Sequence, residues 1–219
     1  MWLWLCEKRA LTPLSLSLSL FLSFSRSLAQ IAGIATQLLE VMKPRFTEYA
    51  KQVRSNCRTL AAALIEHGFT LATDGTDNHL ILWNLRPQGV TGSKMQKVCD
   101  AVGITLNKNS IFGDKSAMTP GGVRIGTPAM TTRGLKDSDF TAIAGMLKRC
   151  CDIAVECQTT AGTKKLKDFV VALNAHAGVV PLRDEVCALA TSFPMPGFDV
   201  ATMKYNDPAT VGSIVHGAH

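Results

Sequence analysis

Arg124 stands inside residues 123–134, Val-Arg-Ile-Gly-Thr-Pro-Ala-Met-Thr-Thr-Arg-Gly, where a strand-like run leads into a rigid polar loop. A guanidinium placed that way suits a carboxylate. Its planar fork offers two parallel charge-assisted hydrogen bonds, worth about 1.5–3 kcal/mol, or roughly tenfold to a hundredfold in affinity. The implied chemistry is recognition of an amino acid or another carboxylic acid. Strand arginines also serve in structural ion pairs, and the residues alone leave both readings open. Thr127-Pro128 shapes the loop, while Thr131, Thr132, Arg133 and Gly134 are sufficiently explained as the start of a helix.

Two upstream clusters extend the polar set. Asn107-Lys108-Asn109 follows a strand and precedes a turn, so its polar ends are expected to project from a sheet edge toward a cleft. Turn chemistry competes with that reading, because asparagine side chains commonly bond nearby backbone. Gly75-Thr76-Asp77-Asn78-His79 reads as a structural turn. No metal site is expected at His79, which lacks histidine or cysteine partners at zinc spacing.

The elements that must position these residues follow from periodicity. The spacing predicts a helix over 31–43 that stops at Pro44, then a long helix from Phe46 to His67. That second helix puts Tyr49, Val53, Cys57, Leu60 and Leu64 on one face and ends at Gly68. Strands are expected over 69–72 and 79–85, around the polar turn 74–78. Ser93 should cap a helix through Met95, Val98 and Val102. A third strand is expected over 104–107 and a fourth over 122–125. Phe140, Ile143, Leu147, Cys150 and Ala154 mark a helix begun by the Lys136–Asp139 turn, and helices over 164–174 and 182–191 precede the end of regular structure at 193–198. The fold class is α/β, a short sheet covered by helices on one face.

A chain of 219 residues supports one substantial core, and 47% hydrophobic with 18% charged residues excludes general disorder. The organisation expected is a low-complexity hydrophobic appendage over 1–29, a folded domain over 30–198 and a loose tail over 199–219. The appendage reads as a secretory signal, a mitochondrial presequence or a wrongly joined reading frame. Its apolar stretch is too short to span a bilayer, so a membrane partner is not expected. The formal charge of +6 comes from dispersed lysines and arginines without aromatic interleaving, which argues against nucleic acid. Seven cysteines without a CxxC spacing fit free thiols in a reducing compartment; Cys150-Cys151 as a redox pair is the minority alternative.

Together the Arg124 segment, Asn107-Lys108-Asn109 and Gly75-Thr76-Asp77-Asn78-His79 resemble the C-terminal portion of serine hydroxymethyltransferase. The resemblance runs from about Gln30 to Phe198 and covers roughly the last two-fifths of the family enzyme. It implies the small C-terminal domain of a fold-type I pyridoxal-phosphate transferase, whose intact members interconvert serine and glycine using tetrahydrofolate, as homo-oligomers, in cytoplasm or mitochondria. It assigns Arg124 to the substrate carboxylate and Asn109, with Lys108 as the weaker candidate, to folate; Lys108 could instead only steer the anionic ligand. Phe112 departs from the proline common in relatives, which puts the 109–114 turn in doubt. The family's cofactor lysine lies in a Thr-His-Lys segment, and no lysine of this chain has that context. A truncated enzyme is therefore expected, without a catalytic lysine and not binding pyridoxal 5'-phosphate alone. A non-catalytic partner of complete subunits, or the small domain of another pyridoxal-phosphate enzyme, are the alternatives.

Overall fold

The computed structural model describes residues 28–116, 119–163, 165–197 and 199. Nearly all of the expected appendage and of the tail lies outside them. The chain divides into two units, one ending at Glu48 and one beginning at Tyr49. In the first, a helix α1 spans 28–41, with Ile31, Ile34, Leu38 and Leu39 all exposed. Glu40 near its end pairs with both Lys43 and Arg45. Helix α2, Pro44–Glu66, starts on a proline, which suits a first helical position because the missing N–H would have no helical partner there.

The second unit is a four-stranded antiparallel sheet with helices packed on one face. Its strands are β1 Thr70–Leu71, β2 Leu80–Asn84, β3 Asn107–Asn109 and β4 Gly122–Gly126, in the order β1-β2-β4-β3. The register sets Leu82 opposite Arg124 and Trp83 opposite Val123. Strand side chains alternate between faces. Leu71, Ile81, Trp83, Val123 and Ile125 are accordingly buried in the core, with the Trp83 and Phe69 rings in tilted contact, 4.6 Å between centroids.

The core face is closed by α3 Gly92–Val102, α5 Asp137–Ala161, α6 Leu166–Asn174 and α7 Val179–Thr191; a short α4, Pro128–Thr132, follows β4. Helix α2 buries Val53, Cys57, Leu60 and Leu64, the face expected from its periodicity. Cys57, Cys99, Cys150, Cys151 and Cys157 are buried free thiols. Burial pushes Cys151 up to about 12, so it stays protonated and packs as a small apolar side chain. Among the described residues no helix is long and apolar enough to cross a membrane.

Several elements differ from expectation for local reasons. The third strand is Asn107–Asn109, not 104–107, because its backbone pairs with Arg124, Val123 and Gly122, while the Ile104 N–H turns back to the Cys99 carbonyl at 2.8 Å. Thr91, not Ser93, caps α3: Thr91 is extended and its hydroxyl accepts from the Lys94 N–H. Helix α7 begins at Val179 rather than Leu182, where His176 Nδ1 accepts the Gly178 N–H at 3.1 Å. Gly92 is needed by contact: a Cβ there would lie 2.1 Å from the Gly122 carbonyl oxygen.

One buried amide ties α2 to the segment after β4. Asn56, fully buried, donates to Thr131 Oγ1 at 2.8 Å and to the Leu135 carbonyl at 3.0 Å, and accepts from Gln52 at 2.8 Å. Replacing it by leucine leaves buried acceptors unmet, so Asn56→Leu is expected to lower stability by about 2 kcal/mol in urea unfolding. Adding Thr131→Val should cost less than the sum of the single changes, since both act on one contact.

Candidate functional site

The helix-free face of the sheet is where polar chemistry collects. Cross-strand partners share a face, so Arg124 on β4, Leu82 on β2 and Asn107 on β3 lie together, with Asn84, Gly122 and Asn109 in the adjacent row. Arg124 is exposed there, while Val123 and Ile125 on either side of it point into the core. Among the described residues its guanidinium has no hydrogen-bond or ion-pair partner.

Every other described arginine is engaged. Arg54 and Arg58 face Asp77, Arg86 holds Asp114, Arg149 meets Glu185, Arg45 meets Glu40, and Arg183 donates to the Ala101 carbonyl. Arg133 donates to the carbonyls of Ala190, Phe193 and Pro194, binding the loop after α4 to the end of α7. Thus the second arginine of the segment is a strap, and among the described arginines Arg124 alone keeps its fork open. An ion pair within the chain, the competing use of a strand arginine, is absent at Arg124 among the described residues.

The loop behind Arg124 is held rigidly from α2. Thr127 is fully buried and donates from Oγ1 to the Val53 carbonyl at 3.0 Å, and Tyr49 donates to the Pro128 carbonyl at 3.2 Å. These contacts explain the Thr-Pro step and the threonines after it as supports. Gly75–His79 is a turn fastened both internally and to α2: Thr76 donates to the Leu80 carbonyl at 2.7 Å, Asn78 Oδ1 accepts the Leu80 N–H at 2.9 Å, and Asp77 pairs with Arg58 at 2.6 Å. Arg58 beside Asp77 holds that carboxyl below its usual range.

Asn107, Lys108 and Asn109 do not act alike. Asn109 is half-buried, and its amide donates to the Ser110 carbonyl at 2.7 Å, which is turn chemistry; its Oδ1 has no partner among the described residues. Lys108 lies opposite Val123, so its side chain leaves the sheet on the other face from Arg124 and can offer only general positive charge. An ion pair that the sequence did not reveal, Arg86 with Asp114, closes the loop between β3 and β4. Nothing in a spacing of that length marks them as a pair.

An apolar cavity of about 350 Å³ lies on the opposite, helix-covered side, lined among others by Leu60, Ile125, Met130, Phe140 and Leu189. Its one charged lining side chain, Arg133, is already spent on backbone carbonyls, so it does not offer a carboxylate site. The buried Lys94 also lies away from the open face, donating to Gln158 at 3.0 Å with its ammonium 5.3 Å from the Phe169 ring. Burial lowers its pKa.

Comparison with known proteins adds the family. The sequence profile named Serine hydroxymethyltransferase matches residues 26–147. Serine hydroxymethyltransferase 4 of Arabidopsis thaliana is 47% identical over 178 residues, covering 81% of this chain and 38% of that protein. Serine hydroxymethyltransferase 3, chloroplastic, of the same plant is 45% identical, covering 76% and 32%. The cytosolic serine hydroxymethyltransferase of Oryctolagus cuniculus is 44% identical, covering 76% and 36%. The chain therefore spans well under half the length of the curated relatives it matches.

An open fork should be chemically reactive. Phenylglyoxal is expected to modify Arg124 in the native chain at least about tenfold faster than Arg86 or Arg133, whose guanidinium groups are held in hydrogen bonds. Peptide mapping after brief treatment reads this out. Equal rates at the three positions would mean that Arg124 has a partner.

Proposed function

Because the chain belongs to the serine hydroxymethyltransferase family, we propose that it is the small-domain portion of such a transferase, holding an amino-acid substrate by its carboxylate at Arg124. The observation that carries this reading is the open guanidinium on the helix-free sheet face. The reaction proposed for the complete protein transfers the hydroxymethyl carbon of serine to tetrahydrofolate, giving glycine and 5,10-methylenetetrahydrofolate. A two-point clamp on the carboxylate fixes the rotation of Cα, so that the bond to be broken is presented in one orientation. Asn109 Oδ1, open toward the same face, supplies an acceptor for a pterin N–H. Lys108 contributes at most attraction for anionic folate.

Pyridoxal 5'-phosphate would supply the electron sink at Cα, but the described residues do not fit it unaided. Its aldehyde needs a reachable amine. Lys94 is buried and committed to Gln158 and Phe169, and the other described lysines lie wholly or partly at the surface. On this reading the isolated chain does not catalyse the exchange, and the cofactor site belongs to the part of the relatives that it does not match. Complete proteins would act as homo-oligomers, in cytoplasm or mitochondria. A second reading, a non-catalytic partner of complete subunits, draws on the half-buried Leu80 and Leu82, which flank Arg124 on the uncovered face.

Two measurements test the proposal. Joined to the missing portion of a relative, Arg124→Lys and Arg124→Ala should both lose at least about tenfold in glycine and serine affinity, since lysine keeps the charge but not the fork. Asn109→Ala should weaken tetrahydrofolate and spare glycine. Normal glycine binding by Arg124→Lys removes Arg124 from the substrate. Separately, the isolated chain mixed with pyridoxal 5'-phosphate and borohydride should show no stoichiometric adduct on a single lysine; such an adduct would restore a cofactor site to this chain.

A further inference from the structure

We propose that Arg86 and Asp114 are positioning residues, a charged clasp that sets Arg124 and Asn109 at a fixed separation for one ligand pair. The proposal rests on the reading of those two residues as ligand-binding. The clasp joins three segments: Arg86 just past the end of β2, Asp114 in the loop after β3, and Gly121 immediately before β4. Asp114 Oδ1 accepts from Arg86 Nε at 3.2 Å and Nη2 at 2.6 Å, while Oδ2 accepts the N–H of Ile111 at 2.8 Å and of Gly121 at 2.9 Å. Arg86 Nη1 reaches on to the Phe112 carbonyl at 3.1 Å. One carboxylate oxygen therefore serves the guanidinium and the other serves two backbone amides.

The geometry leaves little room for looser closure. A Cβ at Gly121 would lie 2.7 Å from Asp114 Oδ1 and 2.9 Å from Arg86 Nε, so glycine is what lets β4 begin against the clasp. Asn109 ends the strand on one side of this loop and Arg124 follows shortly on the other. The Gly121 amide and the Arg86 fork hold the Asp114 carboxyl down to about 2, so the clasp stays charged throughout the neutral range. Phe112, its ring fully exposed in this turn, is held through its backbone carbonyl by Arg86. Arg86 and Asp114 act through the backbone they order.

The test uses the full 219-residue chain and its Asp114→Asn, Arg86→Gln and Arg86→Lys variants. Amide hydrogen exchange should rise about tenfold over 107–111 and 121–126 in the first two variants while α5 stays within about twofold. Arg86→Lys should recover part of the protection, because an ammonium can still pair with Asp114 but cannot form the fork. In parallel, the affinities for glycine and for 5-formyltetrahydrofolate, read by NMR titration, should fall together by about threefold or more. Unchanged exchange in the two segments overturns the proposal. So does acceleration spread equally through α3 and α5, which marks general destabilisation, or unaltered affinities despite faster local exchange. If the wild-type chain binds neither probe, the proposal falls together with the reading of Arg124 and Asn109, and faster exchange confined to the two segments in Asp114→Asn then shows that the clasp orders the loop while the ligand reading fails.

Discussion

A slip of one residue between β2 and β4 would drive the Arg124 guanidinium into the space of Val123 and Ile125, among Trp83, Ile81 and the helices behind them. Burying an unpaired charge costs far more than a sheet hydrogen bond returns. That asymmetry locks the register, and the placement of the proposed carboxylate site follows from it. With the register set, each apolar residue of β4 points into the core. Arg124, by parity alone, points away from it.

The sheet is consequently one-sided in both senses. Its core face is closed by helices whose buried side chains include five thiols, while the other face keeps Leu82, Asn84, Asn107 and an open guanidinium. The support for Arg124 comes from beneath rather than beside it. Asn56, Thr127 and Tyr49 bind the following loop to α2, and Arg133 binds the next turn to α7, so the fork is presented by a fixed backbone without being used up in an ion pair. A site organised this way can receive a carboxylate without first breaking a contact.

Much of this was legible in the sequence because it depends on short-range pattern. Val53, Cys57, Leu60 and Leu64 share a helical face whichever strand they meet, and the alternation around Arg124 places that side chain opposite its neighbours. The motifs named the family, which the comparisons then showed independently. What could not be read were features decided by partners distant in the chain. Asn107–Asn109 is polar and has low strand propensity, yet it pairs because β4 offers its edge. The same strand divides the asparagines from Lys108, a separation that the tripeptide alone conceals. Arg86 finds Asp114, and Arg133 finds the end of α7, only once the fold has closed. Hydrogen bonds of that kind leave no periodic trace.

Whether the Arg124 fork is open to a carboxylate in the chain itself separates a substrate arginine from a solvated one. The most direct measurement follows the Arg124 side-chain Nε–Hε resonance during parallel titrations with glycine and with glycinamide, which keeps the amine but lacks the carboxylate. A saturable shift with glycine and none with glycinamide is the predicted result. An equal response to both ligands, or to neither, would contradict the account and leave Arg124 a solvated strand arginine.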